Sequence, residues 1–355
     1  MKKLIITSLL FMAFMPFSYA QNLEQKAKSG NLQAMYLLAD EYYSGVGRLQ
    51  NKATALTWFE KAAKQNHIES IYRTALMYDK GIATKQDLRR AFNYYLTAAE
   101  KGHFLSQGIV AQKLEKGEGV RKSDARAYLW YRVCAERNEP LACRKMGDYY
   151  KDGRVIEKDH AQAKYWYEKA IEEKDTISPC ALAYLYVIDQ GLQPSYEKAK
   201  KLNEKPLKDK IPLAYFVEGI IDYKDNANKD QQKYKKAFAN FSNASLLGIK
   251  EADYYLAMMY YNGEGTDKNV RFALEKMETL PKEYDNEIGY ILGKAYLYGE
   301  DVEKDATKAI TFLERSANND NKEAALLLYD IYKTPIEVKK NMKEAKKWKQ
   351  KADKM

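Results

Sequence analysis

A single spacing limits what this chain can become. Ala55, Ala91, Ala127, Ala163, Ala199, Ala237, Ala273, Ala309 and Ala345 are separated by seven steps of 36 residues and one of 38. Glycines run in the same register ten residues earlier, at Gly45, Gly81, Gly117, Gly153, Gly263 and Gly299. Upstream of each glycine the apolar positions fall on one helical face, here termed helix A. Tyr42, Tyr78, Tyr150, Tyr260 and Tyr296 stand three residues before it. Ala39, Ala75, Ala111, Gly147, Ala257 and Gly293 stand six before it. Downstream, Ala55, Trp58, Phe59 and Ala62 occupy i, i+3, i+4 and i+7. Ala91, Tyr94, Tyr95 and Ala98, and then Ala163, Trp166, Tyr167 and Ala170, do the same. That stripe has helical period and defines helix B. One pair of short helices cannot bury its own apolar face, whereas stacked pairs form a continuous core. The expected fold is therefore all-α, a right-handed α-solenoid of about nine 36-residue helix–turn–helix repeats. The glycine turns (SGVG at 44–47, EKGEGV at 115–120, NGEG at 262–265) recur between helical stripes. A phosphate-binding loop would occur once and follow a strand. The first glycine is expected to end helix A in the left-handed region, and Gly119 to loosen the turn into helix B.

These residues resemble the Sel-one-like repeat family, a relative of the tetratricopeptide repeats. The stretch AMYLLADEYYSGVGRLQNKATALTWFEKAAKQNH at 34–67 carries the pattern nearly throughout. MGDYYKDGRVIEKDHAQAKYWYEKA at 146–170 and LGKAYLYGEDVEKDATKAITFLERSA at 292–317 repeat it. The resemblance implies a protein-binding scaffold or assembly adaptor. It also draws attention to departures. The two-residue insertion is placed in repeat 5, about 178–210, where Pro206 is expected to end the second helix early. In repeat 6, Ala227 stands where glycine is expected. The organisation read from this is a leader at 1–20, repeats 1–4 at 21–177, degenerate repeats 5–6 at 178–248, and repeats 7–9 with a capping helix at 249–355.

Residues 1–20, MKKLIITSLLFMAFMPFSYA, read as a secretory signal: Lys2 and Lys3, an apolar run from Leu4 to Phe14, then Ser18-Tyr19-Ala20. Cleavage is expected after Ala20, giving an exported bacterial product, periplasmic or secreted. No transmembrane segment is expected in the mature chain. The net charge of +10 is spread over a chain in which 30% of residues are charged, so no nucleic acid is expected as a partner. Cys134, Cys143 and Cys180 are the three thiols. The cysteine-rich secreted branch of the family places disulfides at the slots that Cys134 and Cys143 occupy. The resemblance therefore implies a Cys134–Cys143 bridge, which an oxidising compartment permits. Cys180 is expected to be a buried small residue.

That branch has also been linked to β-lactam binding or hydrolysis. Ser195-Tyr196-Glu197-Lys198 fits S-x-x-K, but the companion motifs are absent, and Ser195 stands where a helix N-cap belongs. His67 and His103 are 36 residues apart and read as closing successive B helices. His160 belongs to no metal-binding spacing. No catalytic group, metal or cofactor is expected. Asn243-Ala244-Ser245 is a formal sequon inside a helix B pattern. KKNMKEAKKWKQKADKM at 339–355 holds eight lysines, yet Ala345, Trp348 and Ala352 keep the core register. It reads as a polar cap, with weak contact to an anionic surface as a secondary expectation.

A protein or peptide partner would meet the concave face, which helix A lines. Positions nine, five and two before the turn glycine should point there: Tyr36, Asp40 and Tyr43; Tyr72; Arg144, Asp148 and Lys151; Tyr254 and Tyr261; Tyr290 and Lys294. Tyrosine suits such a role because it offers area and a polar tip. Alternatively, Tyr36, Tyr72, Tyr254 and Tyr290 fill gaps between adjacent A helices. The leading expectation is a non-enzymatic interaction scaffold. The alternatives are a β-lactam hydrolase and a cell-wall polysaccharide or peptidoglycan-binding module.

Overall fold

The computed structural model describes residues 21–188, 193–226, 228–334 and 339–355. The expected leader and Ala227 lie outside these. The chain divides into two compact units at Ser178. In the first, a helical segment at 21–28 (α1) precedes four pairs: α2 (Leu32–Ser44) with α3 (Lys52–Lys64), α4 (Ile68–Lys80) with α5 (Leu88–Glu100), α6 (Phe104–Lys116) with α7 (Asp124–Ala135), and α8 (Pro140–Asp152) with α9 (His160–Glu172). The second holds α10 (Ser178–Val187), α11 (Tyr196–Lys208), α12 (Pro212–Lys224), α13 (Gln231–Leu246), α14 (Glu251–Asn262), α15 (Val270–Glu278), α16 (Asp285–Tyr298), α17 (Ala306–Asn318), α18 (Lys322–Lys333) and α19 (Met342–Lys354). All regular structure among the described residues is helical, and the all-α repeat solenoid read from the spacing is the observed fold.

The joint within each repeat follows from backbone chemistry. A helix leaves its last carbonyls and first N–H groups without intrahelical partners. Here one end satisfies the other. The turn glycines adopt φ of 66–80° as C-caps, a region open to glycine at little cost. The chain then returns so that the N-cap N–H of helix B donates to a carbonyl in the last turn of helix A. Asn51 reaches Tyr42 at 2.8 Å, Asp87 reaches Tyr78 at 3.0 Å, Ser123 reaches Leu114 at 2.9 Å and Asp159 reaches Tyr150 at 2.9 Å. Ser195–Tyr186, Asn269–Tyr260, Asp305–Tyr296 and Asn341–Tyr332 repeat the bond. Each of these caps also accepts a first-turn N–H through its side chain, as Asn51 does from Thr54 at 3.0 Å.

The columns read from the sequence form the core. All nine register alanines are fully buried. Gly147 lets α8 meet α9 so closely that a Cβ there would lie 2.5 Å from the Tyr167 ring. Gly219 against Phe241 and Gly293 against Leu313 give the same close approach. Gly119 does more than loosen its turn. A Cβ on it would fall 2.1 Å from the Leu88 carbonyl oxygen, so this glycine seats its loop on the start of the previous repeat's helix B.

Repeats 5 and 6 differ from expectation in two ways. First, α12 ends at Lys224, and Asp225 takes the C-cap place that glycine holds elsewhere, at φ −77°. Ala199 to Asp225 is the ordinary step. The two extra residues therefore lie between Asp225 and Ala237, in the turn of repeat 6 rather than in repeat 5. There the buried Asn226 side chain accepts the Asp230 N–H at 2.8 Å and donates back to its carbonyl at 3.0 Å, replacing the usual joint. Second, Pro206 does not end α11, which runs on to Lys208. The ring fills the buried second-alanine slot, and its missing N–H removes one bond near the helix end.

Gly147→Ala should cost about 1–3 kcal/mol by overpacking. By contrast, Gly108→Ala, where nothing lies within 4 Å of the added carbon, should stabilise by about 0.5–1 kcal/mol. Urea unfolding of the two variants checks the opposite signs.

Candidate interaction surface

The sequence-selected residues of repeat 1 converge on a residue that sequence reading missed. Arg73, from helix A of repeat 2, donates from Nη2 to Asp40 Oδ1 at 3.0 Å. Its guanidinium carbon lies 5.6 Å from the centre of the Tyr43 ring. Burial works against the Arg73 charge, and Tyr36, Asp40 and Glu69 around it favour that charge. The signal was available: Arg73 stands eight residues before its turn glycine, one register position from Tyr72. The same logic links later A helices: Lys113 meets Asp79 at 2.5 Å and Lys145 meets Glu115 at 2.9 Å, while Arg144 meets Asp175, in the link after α9, at 3.2 Å. Arg144 and Asp148 flank Lys145 along α8. Asp148 accepts the Tyr167 hydroxyl at 2.8 Å, and burial pushes both its carboxyl and the Tyr167 phenol upward. Lys151 pairs with Asp152 at 2.5 Å.

In the second unit, the Tyr254 hydroxyl donates to Glu287 at 2.6 Å while its ring stacks 4.8 Å from Tyr284. Lys294 lies over the Tyr290 ring at 5.6 Å. Tyr261 is half-buried against the core around Leu292. The structure does not gather these four residues around one shared group, as Arg73 does in repeat 1.

The nine-before column has its own geometry. Tyr36 lies 5.9 Å from the Phe59 ring and 5.3 Å from His67. One repeat on, Tyr72 lies 6.1 Å from Tyr95 and 4.6 Å from His103. The two histidines open helix A rather than close helix B. His67 Nδ1 accepts the Ser70 N–H at 3.3 Å, and His103 Nδ1 accepts that of Ser106 at 3.3 Å. An acceptor nitrogen within reach of the first turn makes imidazole a cap, which the closing-residue reading overlooked. His103 Nε2 also faces Glu69 at 3.4 Å.

At the third step this column breaks. Gly108 takes the tyrosine position, and nothing lies within 4 Å of where its Cβ would be. A cavity of about 210 Å³ opens there. Tyr72, Phe104, Leu105 and Ile109 form its walls with Leu141. Tyr131 and Cys134, both buried, also line it, and Gln112 and Glu139 add polar side chains. Phe104 and Leu105 are exposed, with the Arg137 guanidinium 5.9 Å from the Phe104 ring centre.

The bridge implied for Cys134 and Cys143 is absent. Both are buried free thiols, and Cys143 Sγ donates to the Ala135 carbonyl at 3.7 Å. Burial pushes each thiol up to about 11. Cys180 is likewise buried. Ser195 Oγ caps α11 by accepting the Lys198 N–H at 3.3 Å, while the Lys198 ammonium lies over the Tyr186 ring at 5.5 Å. In α19, Ala345, Trp348 and Ala352 are buried and Lys343, Lys346, Lys347 and Lys349 are exposed, as a cap requires. Among the described residues no helix is long and apolar enough to cross a membrane, and no His, Cys, Asp and Glu cluster could hold a metal.

Stacked helix pairs joined by glycine turns, with aromatic and charged side chains along helix A, define a helical-repeat scaffold of the tetratricopeptide-like class. The particular repeat is the Sel1 repeat, whose family model matches residues 32–67, 68–103, 110–138, 140–175, 180–205, 250–275, 290–321 and 330–352, and the chain belongs to that family. Sel1 repeats typically mediate protein–protein interaction. The unmatched interval 206–249 contains the displaced turn. The fold is similar to a protective antigen of uropathogenic Escherichia coli strains that displays an SLR fold, at 22% identity over 94% of this chain and 86% of that one, with a TM-score of 0.50. It is also similar to a Sel1 repeat protein from Oxalobacter formigenes, at 20% identity over 88% and 90%, with a TM-score of 0.54. A search of the curated proteins finds none that matches.

Burial holds His67 below its ordinary 6.5, with Glu69 opposing. The fold thus favours neutral imidazole, so the stability tied to His67 is complete above the ordinary pKa and is lost as pH falls from there through the lowered folded value. His160 acts in the same direction, and Asp148 in the opposite one at lower pH. His67→Asn keeps a capping acceptor, as Asn31 and Asn321 do in the same place. The variant should lose less urea stability than wild type between pH 7.5 and 5.5.

Proposed function

We propose that the protein is an exported, non-enzymatic scaffold that binds a protein or peptide partner through the A-helix face of repeats 2–4. The observation that carries this reading is the opening at Gly108. Along α2, α4 and α8 the corresponding side chains are spent on neighbouring repeats. At α6 the same register presents apolar surface and a cavity. Exposed Phe104 and Leu105 beside it supply the apolar contact that interface centres use. Export rests on the leader pattern of residues 1–20, namely two lysines, an apolar run and a small-residue cleavage site.

Affinity capture from the native envelope fraction tests the reading. Leu105→Glu, at a 57% exposed position, should cut recovery of the captured partner at least about 10-fold, with an unchanged thermal midpoint. The matching change at Leu246, 86% exposed in the second unit, should leave recovery intact. Equal recovery with both variants would refute the assignment of the face.

A further inference from the structure

Three positions recur together in repeats 1 and 2: a tyrosine nine before the turn, an aromatic residue of helix B, and the histidine that caps the next helix A. Tyr36, Phe59 and His67 are one set, and Tyr72, Tyr95 and His103 the next. In repeat 3 the same positions hold Gly108, Tyr131 and Glu139. The ring has gone and the imidazole has become a carboxylate. The resulting cavity, about 210 Å³, is smaller than the roughly 300–1,000 Å³ of small-molecule sites. It has room for one side chain.

We propose that the Gly108 cavity receives a tyrosine side chain from a partner polypeptide. Its ring occupies the place that Tyr36 and Tyr72 fill in their own repeats, and its hydroxyl donates to Glu139. This rests on the reading of the A-helix face as a protein-binding surface. Donor–acceptor complementarity selects tyrosine. Glu139 uses one oxygen to cap the Ala142 N–H at 2.6 Å, and the other has no partner among the described residues. Phenylalanine would cover that carboxylate without giving it a donor, which is unfavourable. Arginine would have to desolvate a full charge between Ile109 and Leu141 against a carboxylate already shared. Phosphotyrosine would bring two negative charges to Glu139. The pairing itself is one this chain makes repeatedly. Tyr131 donates to Glu115 at 2.8 Å, Tyr78 to Glu60 at 2.6 Å and Tyr254 to Glu287 at 2.6 Å.

The test uses blocked pentapeptides, acetyl-Gly-Gly-Xaa-Gly-Gly-amide, with tyrosine, phenylalanine, arginine or phosphotyrosine at the centre. Each is titrated into the full chain, and the Ile109 and Leu141 methyl signals are followed by NMR. The tyrosine peptide should move both and bind about 5-fold or more tighter than the phenylalanine peptide, with the other two weaker still. Gly108→Tyr, which fills the cavity from within, should abolish these shifts without lowering the thermal midpoint. Glu139→Gln should bring the tyrosine-to-phenylalanine ratio close to one. Equal affinity for the two peptides in wild type, tightest binding by the arginine peptide, or shifts that persist in Gly108→Tyr would each overturn the proposal. If Leu105→Glu still abolishes partner capture while no tyrosine preference is found, the face stands and the tyrosine assignment falls. If capture ignores Leu105→Glu while tyrosine binding is lost in Gly108→Tyr, the converse holds.

Discussion

Between Asn51 and Tyr42, and at seven equivalent joints, one hydrogen bond of about 2.8–3.1 Å joins the start of helix B to the last turn of helix A. Both groups are helix-end orphans, each costly to bury unpaired. Their mutual satisfaction sets where helix B begins relative to helix A. It also fits the recurrence of glycine at six of the turns: glycine enters the left-handed region at little cost, and that conformation returns the chain toward the bond. Once the joint is made, the register alanines and the small residue six before the turn fall opposite the helix B aromatics. Close approach follows, with Gly147 against Tyr167 as its tightest expression in the first unit. Burial of each such aromatic is worth about 1.5–3 kcal/mol, so the joint converts a local bond into core formation.

A second layer of interactions runs from repeat to repeat. Of the ion pairs Asp40–Arg73, Asp79–Lys113, Glu115–Lys145 and Asp175–Arg144, the first is partly solvated and contributes at most about 1 kcal/mol, whereas Asp79–Lys113 is largely buried, so its attraction is offset by desolvation. Their larger effect is on what the A-helix face can offer. Side chains that pure register would assign to a partner are already engaged with a neighbour. The A-helix register lapses at Gly108, and the proposed binding face is placed at that lapse rather than where its tyrosines are densest. The gap is costly in isolation, since glycine weakens a helix interior by about 1 kcal/mol, and the open space before it shows that packing does not demand it.

The irregular repeats have a different origin. In α11 the helix B aromatic slot holds Asn203, fully buried, which donates to Glu218 at 3.0 Å and to the Ala214 carbonyl at 2.9 Å. Glu218 takes the place of a core leucine. Asp222 takes that of the tyrosine three before the turn, and burial with Glu218 beside it raises its carboxyl. Polar groups replace apolar ones in matched positions on facing helices, so the stacking continues with hydrogen bonds where it elsewhere uses rings. Asp225 in place of glycine, with two additional residues beyond it, then accounts for the displaced turn of repeat 6.

Outside repeats 5 and 6, the helices, their pairing, the glycine C-caps and the buried columns were legible in the amino-acid sequence. They follow from spacing: a period of 36 with glycine, alanine and aromatic residues in constant places leaves one way to bury the apolar face. Ser195 as a cap and the C-terminal lysines as an outer face were readable for the same reason. What the sequence left open depends mainly on distances between repeats. Arg73 beside Asp40 and Tyr43 comes from contacts across some 30 residues, which local pattern does not encode, whereas the capping role of His67 is a local contact with Ser70 that was overlooked because histidine is not among the usual caps. The position of the insertion was ambiguous because counting alanines locates an extra pair of residues only to within one repeat. The Gly108 cavity was hidden most completely. In sequence it is one more glycine, and only packing of α4, α6, α7 and α8 around the absent side chain turns that absence into a cavity.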